Sequence, residues 1–208
     1  MQEIASMQDL GAGIVGLDSL LGALSASGTA TKKTALESYA ALVLEWNQAH
    51  NLTTARTLAD MEKNIIDSAL PLLVIKSFSL CFDIGSGAGL PALVLAILCD
   101  SSAFVLSEPR KKRAAFLRFC VQRLGLKNVR VESKRAQEIG LEFAPDLITS
   151  RASLGNSALL ELGRKRIASG GHYLFYKGEK SFCEGLAPHD TGVLLYRYNA
   201  RIYVYKEA

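Results

Sequence analysis

The glycine-spaced segment from Phe82 to Pro91 constrains the fold of this chain more than any other part of the sequence. It reads Phe-Asp-Ile-Gly-Ser-Gly-Ala-Gly-Leu-Pro, so an apolar run reaches Asp83, glycines occupy every second position from Gly85 to Gly89, and an apolar segment follows. Glycines at this spacing let the backbone approach a ligand closely, and a helix behind them offers unpaired N–H groups and a positive dipole end. The layout predicts a strand, a tight loop and a helix that together bind a nucleoside-containing cofactor.

Length and composition predict a folded protein rather than a tail. The chain has 208 residues, of which 49% are hydrophobic, enough to fill the core of one good-sized domain or of a domain with a helical extension. The apolar runs are broken before they reach the length of a membrane span, and no secretory signal is present. We therefore expect a soluble, cytoplasmic protein that makes no membrane contact.

Cysteine and histidine spacing indicates a reduced protein without a metal site. No Cys-x-x-Cys pair occurs, and the scattered histidines form no cluster with the cysteines. The seven residues are Cys81, Cys99, Cys120, Cys183, His50, His172 and His189. We expect free thiols and no bound metal.

Charge is distributed unevenly along the chain. Residues 1–75 carry four basic and eight acidic side chains, whereas residues 76–208 carry twenty and twelve. The basic residues are densest between Arg110 and Arg135, where Glu132 is the one acid. A polyanion is a plausible partner for this stretch, and solvated faces of a helix and two loops are the alternative.

Hydrophobic periodicity divides the chain into a helical extension, residues 1–75, and a larger domain, residues 76–208. In the extension, the capping-box spacing of Thr34 and Glu37 predicts a helix near 34–48, and Thr57 can cap a second helix. From Ser79, short apolar runs alternate with helical stretches, which predicts an α/β fold with a mostly parallel sheet. The expected strands are 80–84, 103–107, 129–132, 145–149 and 172–176, followed by a hairpin of 192–197 and 201–205. A parallel sheet closed by an antiparallel C-terminal hairpin is the outline of the Rossmann-like, class I S-adenosylmethionine-dependent methyltransferase fold.

Two acids at predicted strand ends favour this cofactor. Asp83 can hold the cationic α-amino group of a methionine-derived ligand, directly or through water, and Glu108 can accept hydrogen bonds from both ribose hydroxyls. The segment 135–138 follows the next strand, where such folds line the adenine. An acid after a strand is also a common helix cap, so the capping interpretation stays open.

Other catalytic motifs fit the sequence less well. Tyr173 and Lys177 have the Tyr-x-x-x-Lys spacing of short-chain dehydrogenases, but that pair needs a helix, and this run is strand-like. The Asp-Pro-Pro-Tyr motif of exocyclic-amine methyltransferases is replaced by Thr-Ser-Arg-Ala at 149–152. No cysteine has the Pro-Cys setting of cytosine C5 methyltransferases.

Several motifs occur in the order found in one family. They are Glu45-Trp46-Asn47 with Asn51-Leu52-Thr53, Ile66-Asp67-Ser68, the 83–91 segment, Lys112-Arg113 with Phe116-Leu117, Arg135-Ala136, Ser150-Arg151-Ala152 and Lys177-Gly178. Over roughly residues 36–180 the chain resembles the glucose-inhibited division protein B family of bacterial small-subunit rRNA (guanine-N7) methyltransferases. The resemblance departs at Asn64, where the family usually has histidine, at Ala92, a common glycine, and at Gln137, where glutamate is frequent.

The resemblance implies a cofactor, a substrate and a set of residues. S-adenosylmethionine is expected to supply a methyl group to N7 of a guanine in the 530 loop of 16S rRNA, in the 30S subunit or in free rRNA, and the protein is expected to be a monomer. The predicted cofactor residues are Asp83, Gly85, Ser86, Gly87, Gly89, Leu90, Glu108, Ala136, Gln137 and Arg151. The predicted catalytic residues are Arg151 and Lys177, and the predicted RNA contacts are Arg110, Lys111, Lys112 and Arg113.

Guanine N7 carries an in-plane lone pair, so its methylation needs alignment of the reactants but no general base. Two other functions stay open at this point. An NAD(P)-dependent oxidoreductase would use the same glycine loop, and a non-catalytic rRNA-binding protein would keep the fold without the activity.

Overall fold

A computed structural model describes residues 7–25, 27–151, 154–179 and 192–208. Eight strands form one sheet: β1 (Gln8–Asp9), β2 (Leu80–Ile84), β3 (Ala103–Ser107), β4 (Val129–Glu132), β5 (Leu147–Arg151), β6 (His172–Gly178), β7 (Val193–Tyr198) and β8 (Arg201–Glu207). The α-helices are α1 (Leu17–Ala23), α2 (Thr29–His50), α3 (Leu58–Ala69), α4 (Ala92–Leu98), α5 (Lys111–Arg123) and α6 (Asn156–Arg164). Short 3-10 helices cover Leu70–Leu73 and Ala136–Glu138.

The sheet order is β1-β7-β8-β6-β5-β2-β3-β4. The strands from β6 through β5, β2 and β3 to β4 are parallel neighbours, whereas β8 pairs antiparallel with both β6 and β7. This arrangement confirms the predicted α/β sheet with an antiparallel C-terminal hairpin. It also places the carboxyl ends of β2, β3 and β5 side by side, at the edge where open α/β sheets bind ligands.

Strand positions agree closely with the prediction, although β5 is shifted by two residues, β7 is shifted by one, and the short edge strand β1 was not predicted. The expected strand at 145–149 is observed at Leu147–Arg151. The difference arises at Asp146, whose two carboxylate oxygens accept hydrogen bonds from the backbone N–H groups of Ser79 and Leu80, each at 2.8 Å. Asp146 therefore joins the entrances of two strands, and the shift brings Arg151 into β5 at the carboxyl edge.

The start of α2 differs from the prediction. The helix begins at Thr29, after Gly28, so Thr34 lies inside it and donates its hydroxyl to the carbonyl of Ala30 at 3.0 Å. Tertiary contact explains the extra turn, because the buried Lys32 ammonium donates to the carbonyl of Leu98 at 2.8 Å. The expected Thr34 cap is wrong.

The Thr57 cap of α3 is confirmed. The Thr57 hydroxyl accepts from the N–H of Asp60 at 3.1 Å, and the Asp60 carboxylate accepts from the N–H of Thr57 at 3.0 Å. The apolar face of the helix is buried through Met61, Ile65 and Ala69. A reciprocal cap of this kind fixes where α3 begins.

Two hydrophobic clusters cover the two faces of the sheet. The larger contains side chains of α1 to α5 together with Cys81, Leu174 and Tyr176 from the strands. The smaller contains α6 and, among others, Phe82 and Phe175. Because neighbours along a strand point to opposite faces, helices on both sides bury the central strands.

Two further expectations concern the cysteines and the length of the apolar helices in the described part of the chain. Cys81, Cys99 and Cys120 are free, while Cys183 and His189 lie outside the described residues. Among the described ranges, no helix is both long enough and apolar enough to span a bilayer.

Candidate functional site

The glycine loop connects β2 to α4 as the sequence predicts. Gly85, Gly87 and Gly89 all have positive φ, at 75°, 57° and 97°. A Cβ atom built on Gly89 would lie 2.6 Å from a methyl carbon of Leu93, so both conformation and space favour glycine there. The loop is tied to β3, because the N–H of Gly85 donates to the carbonyl of Ser107 at 2.9 Å.

Helix α2 of the N-terminal extension supports the glycine loop. The buried Tyr39 hydroxyl of α2 donates to the carbonyl of Ala88 at 2.8 Å. Asn47 of the same helix donates its amide to the carbonyl of Ala55 at 2.8 Å and accepts from the N–H of Thr53 at 3.0 Å. The extension thereby fixes two loops that face each other.

A cavity of about 450 Å³ lies over the glycine loop at the carboxyl edge of the sheet. Eight of the predicted site residues line this cofactor cavity, and they come from the glycine loop, the end of β3, the start of α5 and the end of β5. They are Gly85, Ser86, Gly87, Leu90, Glu108, Arg110, Arg113 and Arg151. Leu52 and Thr53, from the loop held by Asn47, complete its wall.

Asp83 lies beneath the loop, buried to 1% exposure. Its Oδ1 accepts a hydrogen bond from the Thr149 hydroxyl at 2.6 Å, whereas its buried Oδ2 has no hydrogen-bond partner within the described ranges. Burial raises the pKa of Asp83 to about 6, and the Glu108 carboxylate adds to the rise, while the hydroxyls of Ser86 and Thr149 oppose it. A buried, half-satisfied carboxylate of this kind favours a cation at its free oxygen.

Glu108 follows β3 and is held by backbone N–H groups on both sides. Its Oε2 accepts from the N–H of Gly87 and its Oε1 from the N–H of Arg110, each at 2.9 Å. The glycine loop and the start of α5 are thus joined through one carboxylate. Each oxygen keeps a second lone pair, so the carboxylate can still accept hydrogen bonds from a ligand in the cavity.

Arg151 reaches across the cavity boundary to α3. Its Nη2 donates to Asn64 Oδ1 at 2.5 Å and its Nη1 to the Ser68 hydroxyl at 3.4 Å, and Nη1 lies 3.5 Å from a carboxylate oxygen of Asp67. Burial lowers the pKa of Arg151, and the Asp67 carboxylate opposes this by favouring the charged form. The guanidinium is therefore held in one orientation by α3.

The second predicted catalytic residue lies on the other face of the sheet. Tyr176 contacts α3, donating its hydroxyl to the carbonyl of Ser68 at 2.7 Å, so the next residue, Lys177, points away from α3. Its ammonium donates to the carbonyl of Leu154 at 2.8 Å and lies 5.8 Å from the ring centre of Phe175. The structure therefore does not bring Lys177 into the cavity that Arg151 lines.

Besides Asp83 beneath the loop, three predicted cofactor residues lie outside the lining of the cofactor cavity. Gly89 packs behind the loop against Leu93, and Ala136 is buried. Gln137 is exposed, and its side of the chain borders a separate groove of about 890 Å³. This α6 groove is lined by Gln137, Leu141, Phe143, Ala144, Leu154, Ala158, Glu161, Leu162, Lys165 and Arg166.

The predicted RNA contacts form the first turn of α5 and the residue before it. Lys111 and Lys112 are exposed, and no acid occupies this turn. Arg113 is half-buried, and its Nη1 is 3.6 Å from where a Cβ on Gly87 would lie. The turn therefore continues the cofactor cavity into an exposed basic surface.

Sequence reasoning missed the partners of Arg151. Asn64 and Asp67 belong to the α3 motif but received no role at this site, and Arg201 received none at all. Arg201 Nε lies 3.1 Å from both carboxylate oxygens of Asp67. The departure from histidine at Asn64 was the available signal for the α3 side of the site.

A parallel sheet with this order, a glycine loop after its central strand, an acid after the neighbouring strand and a C-terminal antiparallel hairpin define a class I S-adenosylmethionine-dependent methyltransferase. Solved structures share the fold. A methyltransferase from Geobacter sulfurreducens aligns with a TM-score of 0.59 at 15% identity, covering 82% of this chain and 88% of that one. The 16S rRNA N2 G1207 methyltransferase of T. thermophilus, in complex with AdoMet and guanosine, aligns with a TM-score of 0.54 at 16% identity, covering 64% and 38%.

Residues 32–201 match the GidB family, described as rRNA small subunit methyltransferase G, and the chain belongs to this family. Ribosomal RNA small subunit methyltransferase G of Wolinella succinogenes is 48% identical over 172 residues, which cover 83% of this chain and 88% of the relative. The proteins of the same name from Helicobacter acinonychis and Helicobacter pylori (strain ATCC 700392 / 26695) are 46% and 44% identical over 171 residues, covering 82% of this chain and 94% of each relative. The protein is an S-adenosylmethionine-dependent rRNA methyltransferase, and the oxidoreductase alternative is set aside.

Proposed function

We propose that the protein transfers a methyl group from S-adenosylmethionine to N7 of a guanine in the 530 loop of 16S rRNA. One observation carries the proposal: in a chain of this family, a single cavity joins the glycine loop, Glu108 and Arg151. We also propose that the protein acts as a monomer in the cytoplasm, without a metal. In this proposal residues 1–75 are a helical extension that supports the site of the domain formed by residues 76–208.

The residues in and beneath the cofactor cavity fit S-adenosylmethionine. The free, buried Oδ2 of Asp83 suits the α-amino group, directly or through water. The carboxylate of Glu108, fixed by two backbone N–H groups, suits the two ribose hydroxyls. The positive-φ glycines let the main chain approach the ligand. We retain Gly89, Ala136 and Gln137 in the proposed cofactor set as residues that shape the surroundings of the cavity.

The chemistry requires alignment. S-adenosylmethionine supplies an electrophilic methyl group, and guanine N7 supplies a lone pair that needs no deprotonation. Holding two reactants in line lowers the barrier by up to about 7 to 11 kcal/mol in favourable cases. Arg151 is the proposed orienting residue, because its guanidinium lines the cofactor cavity in a fixed orientation and can donate to guanine O6 or to a neighbouring phosphate.

Lys177 stays in the proposed catalytic set with Arg151, although its side chain lies on the opposite face of the sheet. Its ammonium donates to the carbonyl of Leu154, three positions beyond Arg151 in the sequence. Arg110, Lys111, Lys112 and Arg113 are proposed to contact rRNA phosphates around the mouth of the cofactor cavity. Counterion release would make this binding sensitive to salt.

The proposal is tested by incubating the protein with methyl-labelled cofactor and either 30S subunits or naked 16S rRNA, then mapping the modified base and atom. We expect label on N7 of one guanine in the 530 loop. Arg151→Ala is expected to slow transfer by at least tenfold at saturating cofactor, while Arg164→Ala, an exposed arginine at the end of α6, is the matched control. Label on another atom or base, or no transfer to either substrate, would reject the proposed reaction.

A further inference from the structure

A second cavity, of about 420 Å³, opens at the same edge of the sheet between α3 and the turn of the C-terminal hairpin. The hairpin turn reaches this edge because Arg201, which begins β8, pairs with Gly178 at the carboxyl end of β6. We call this the hairpin cavity. Its lining includes Asp60, Lys63, Asn64 and Asp67 from α3, and Asn199 and Arg201 from the hairpin.

The hairpin cavity adjoins the cofactor cavity. Thr53 lines the cofactor cavity and Thr54 the hairpin cavity. Arg151, in the cofactor cavity, donates to Asn64, in the hairpin cavity, at 2.5 Å. A ligand in the hairpin cavity therefore meets the cofactor site at Arg151.

The lining of the hairpin cavity offers both hydrogen-bond acceptors and hydrogen-bond donors to a ligand. Asp60 uses Oδ2 for the helix cap, and its Oδ1 has no hydrogen bond within the described ranges. The exposed Lys63 ammonium has no hydrogen bond or ion pair with any residue that the structure describes. Asn199 is exposed in a left-handed turn, at φ 51°, and belongs to the lining.

These groups match guanosine better than a purely anionic ligand. The two carboxylates of the lining balance the charges of Lys63 and Arg201, so the hairpin cavity has no net positive charge for a phosphate, and the unbonded Oδ1 of Asp60 suits the N1–H and amino donors of guanine. Those donors lie on the edge of the base away from N7, so a base bound by Asp60 can direct N7 toward Arg151 and the cofactor cavity. Sequence-specific RNA recognition commonly uses unpaired bases in this way.

We propose that the hairpin cavity seats the acceptor guanosine. Asp60 accepts from the base, Asn199 hydrogen-bonds to it at the rim, and Lys63 pairs with a phosphate outside. The proposal rests on the proposed function and assigns its acceptor site. The competing seat is the α6 groove, where Phe143, exposed to 70%, offers a stacking face, although the Arg166 guanidinium there is already bonded to the carbonyls of Gln137 and Ile139 at 2.8 Å.

The test compares two double variants with the wild-type protein. Lys63→Ala with Asn199→Gly alters the hairpin cavity and keeps the left-handed turn, because glycine tolerates positive φ. Phe143→Ser with Lys165→Ala alters the α6 groove. We expect the first double variant to lower kcat/KM for rRNA at least tenfold with cofactor Kd within twofold of wild type, and the second to leave kcat/KM unchanged. The reverse result would place the acceptor in the α6 groove and overturn the proposal, as would a wild-type kcat/KM in both.

A base-analogue experiment separates recognition from structural damage. Inosine lacks the amino group of guanine, so 16S rRNA with inosine at the target position should be methylated at least tenfold more slowly by the wild-type protein. In Asp60→Asn, which retains oxygen for the helix cap, this penalty should shrink at least threefold, and an unchanged penalty would contradict the assignment of Asp60. Absence of transfer by the wild-type protein would reject the proposed function, and the acceptor site with it. Transfer that none of these variants alters would reject the acceptor site alone.

Discussion

Asp83 combines burial, charge and an unused hydrogen-bonding atom in one side chain. The carboxyl takes up a proton at about pH 6 in the folded protein, whereas its ordinary pKa is 3.8. Above about pH 6 the folded protein therefore holds a buried carboxylate that is only half satisfied. The unfolding free energy that is lost when this carboxyl ionises measures the cost of burying the charge without a cationic partner.

We predict a pH-dependent stability difference between wild type and Asp83→Asn. Between pH 4 and pH 6 the folded protein binds more protons at this position than the unfolded chain, so the unfolding free energy contributed by Asp83 falls as pH rises, then stays constant. Relative to Asp83→Asn, the wild type should lose about 2 kcal/mol between pH 4 and pH 7. Urea denaturation across this range measures the difference. Glu142→Gln, at an exposed loop carboxylate, is the control, and a flat difference for Asp83 would contradict the raised pKa.

Glu108 should determine cofactor affinity more than folding. In Glu108→Gln an amide N–H₂ replaces one carboxylate oxygen and faces the N–H of Gly87 or of Arg110, so one of these two hydrogen bonds is lost. The same replacement removes an acceptor for the ribose hydroxyls of the cofactor. We expect the Kd for S-adenosylmethionine to rise about ten- to a hundredfold, or about 1.4 to 2.8 kcal/mol, by isothermal titration calorimetry. Glu132→Gln changes the same residue type at the end of the adjacent strand. An equal loss in both variants would show that Glu108 has no special role.

At the scale of single elements, α5 begins with charges of the wrong sign for its own stability. A helix N-terminus favours acids, yet Arg110, Lys111, Lys112 and Arg113 surround this one, and no acid lies in its first turn. The Glu108 carboxylate, which accepts from the N–H of Arg110, compensates at one position only. An unfavourable cluster beside a ligand cavity supports the proposed contact of this turn with an anionic partner.

Charge reversal at this turn should change RNA binding and stability in opposite directions. In Lys111→Glu with Lys112→Glu, we expect weaker binding of 16S rRNA at low salt, and a slope of log affinity against log salt that is shallower by about 0.7 for each lost single-strand phosphate contact. The same variant should gain about 0.3 to 1 kcal/mol per acid from the helix dipole. Filter binding and thermal unfolding measure the two effects. Lys127→Glu, an exposed lysine beyond the other end of α5, is the control, and unchanged RNA binding would make the turn an ordinary solvated surface.

Elements were predictable from sequence to the extent that local forces decide them. Strands β2, β3 and β4 have the expected bounds, because a short apolar run between turn residues leaves little choice. The Thr57 cap was predictable for the same reason, since both partners lie within four residues. The start of α2 was not, because the contact of Lys32 with Leu98 outweighs a local capping signal at Thr34. The separation of Lys177 from Arg151 depends on strand alternation and became clear only from the bounds of β5 and β6.

At the scale of the whole molecule, Asp67 joins the helical extension, the sheet and the hairpin. Its carboxylate lies 3.1 Å from Nε of Arg201 and 3.5 Å from Nη1 of Arg151, and Oδ1 accepts the Tyr203 hydroxyl at 2.9 Å. Asp67 and Arg201 are 134 positions apart in the chain. No local pattern reports a contact of that separation, which is why the α3 and hairpin side of the site was missed.

Asp67→Asn should destabilise the protein and also slow methyl transfer. Two guanidinium groups that are mostly buried, at 17% and 24% side-chain exposure, would lose their shared counter-charge. Removing one partner of a buried ion pair costs about 3 to 5 kcal/mol, and the partial exposure here places the expected loss at the lower end, about 3 kcal/mol. Asp18→Asn breaks an exposed pair with Lys33 and should cost under about 1 kcal/mol.

The effect on kcat distinguishes two roles of Asp67: orienting Arg151, or only holding the hairpin against α3. If Asp67 only holds the hairpin against α3, Tyr203→Phe, which removes the hydroxyl that donates to Asp67, should destabilise the protein but leave kcat unchanged at a temperature where both proteins are folded. If Asp67 also orients Arg151, Asp67→Asn should lower kcat at least tenfold under those conditions while cofactor Kd changes little, because Arg151 keeps its contacts with Asn64 and Ser68 but loses its charge partner. We expect the second pattern for Asp67→Asn and the first for Tyr203→Phe. A wild-type kcat in Asp67→Asn, or an equal loss of kcat in the two variants, would show that the charge beside Arg151 does not control the reaction.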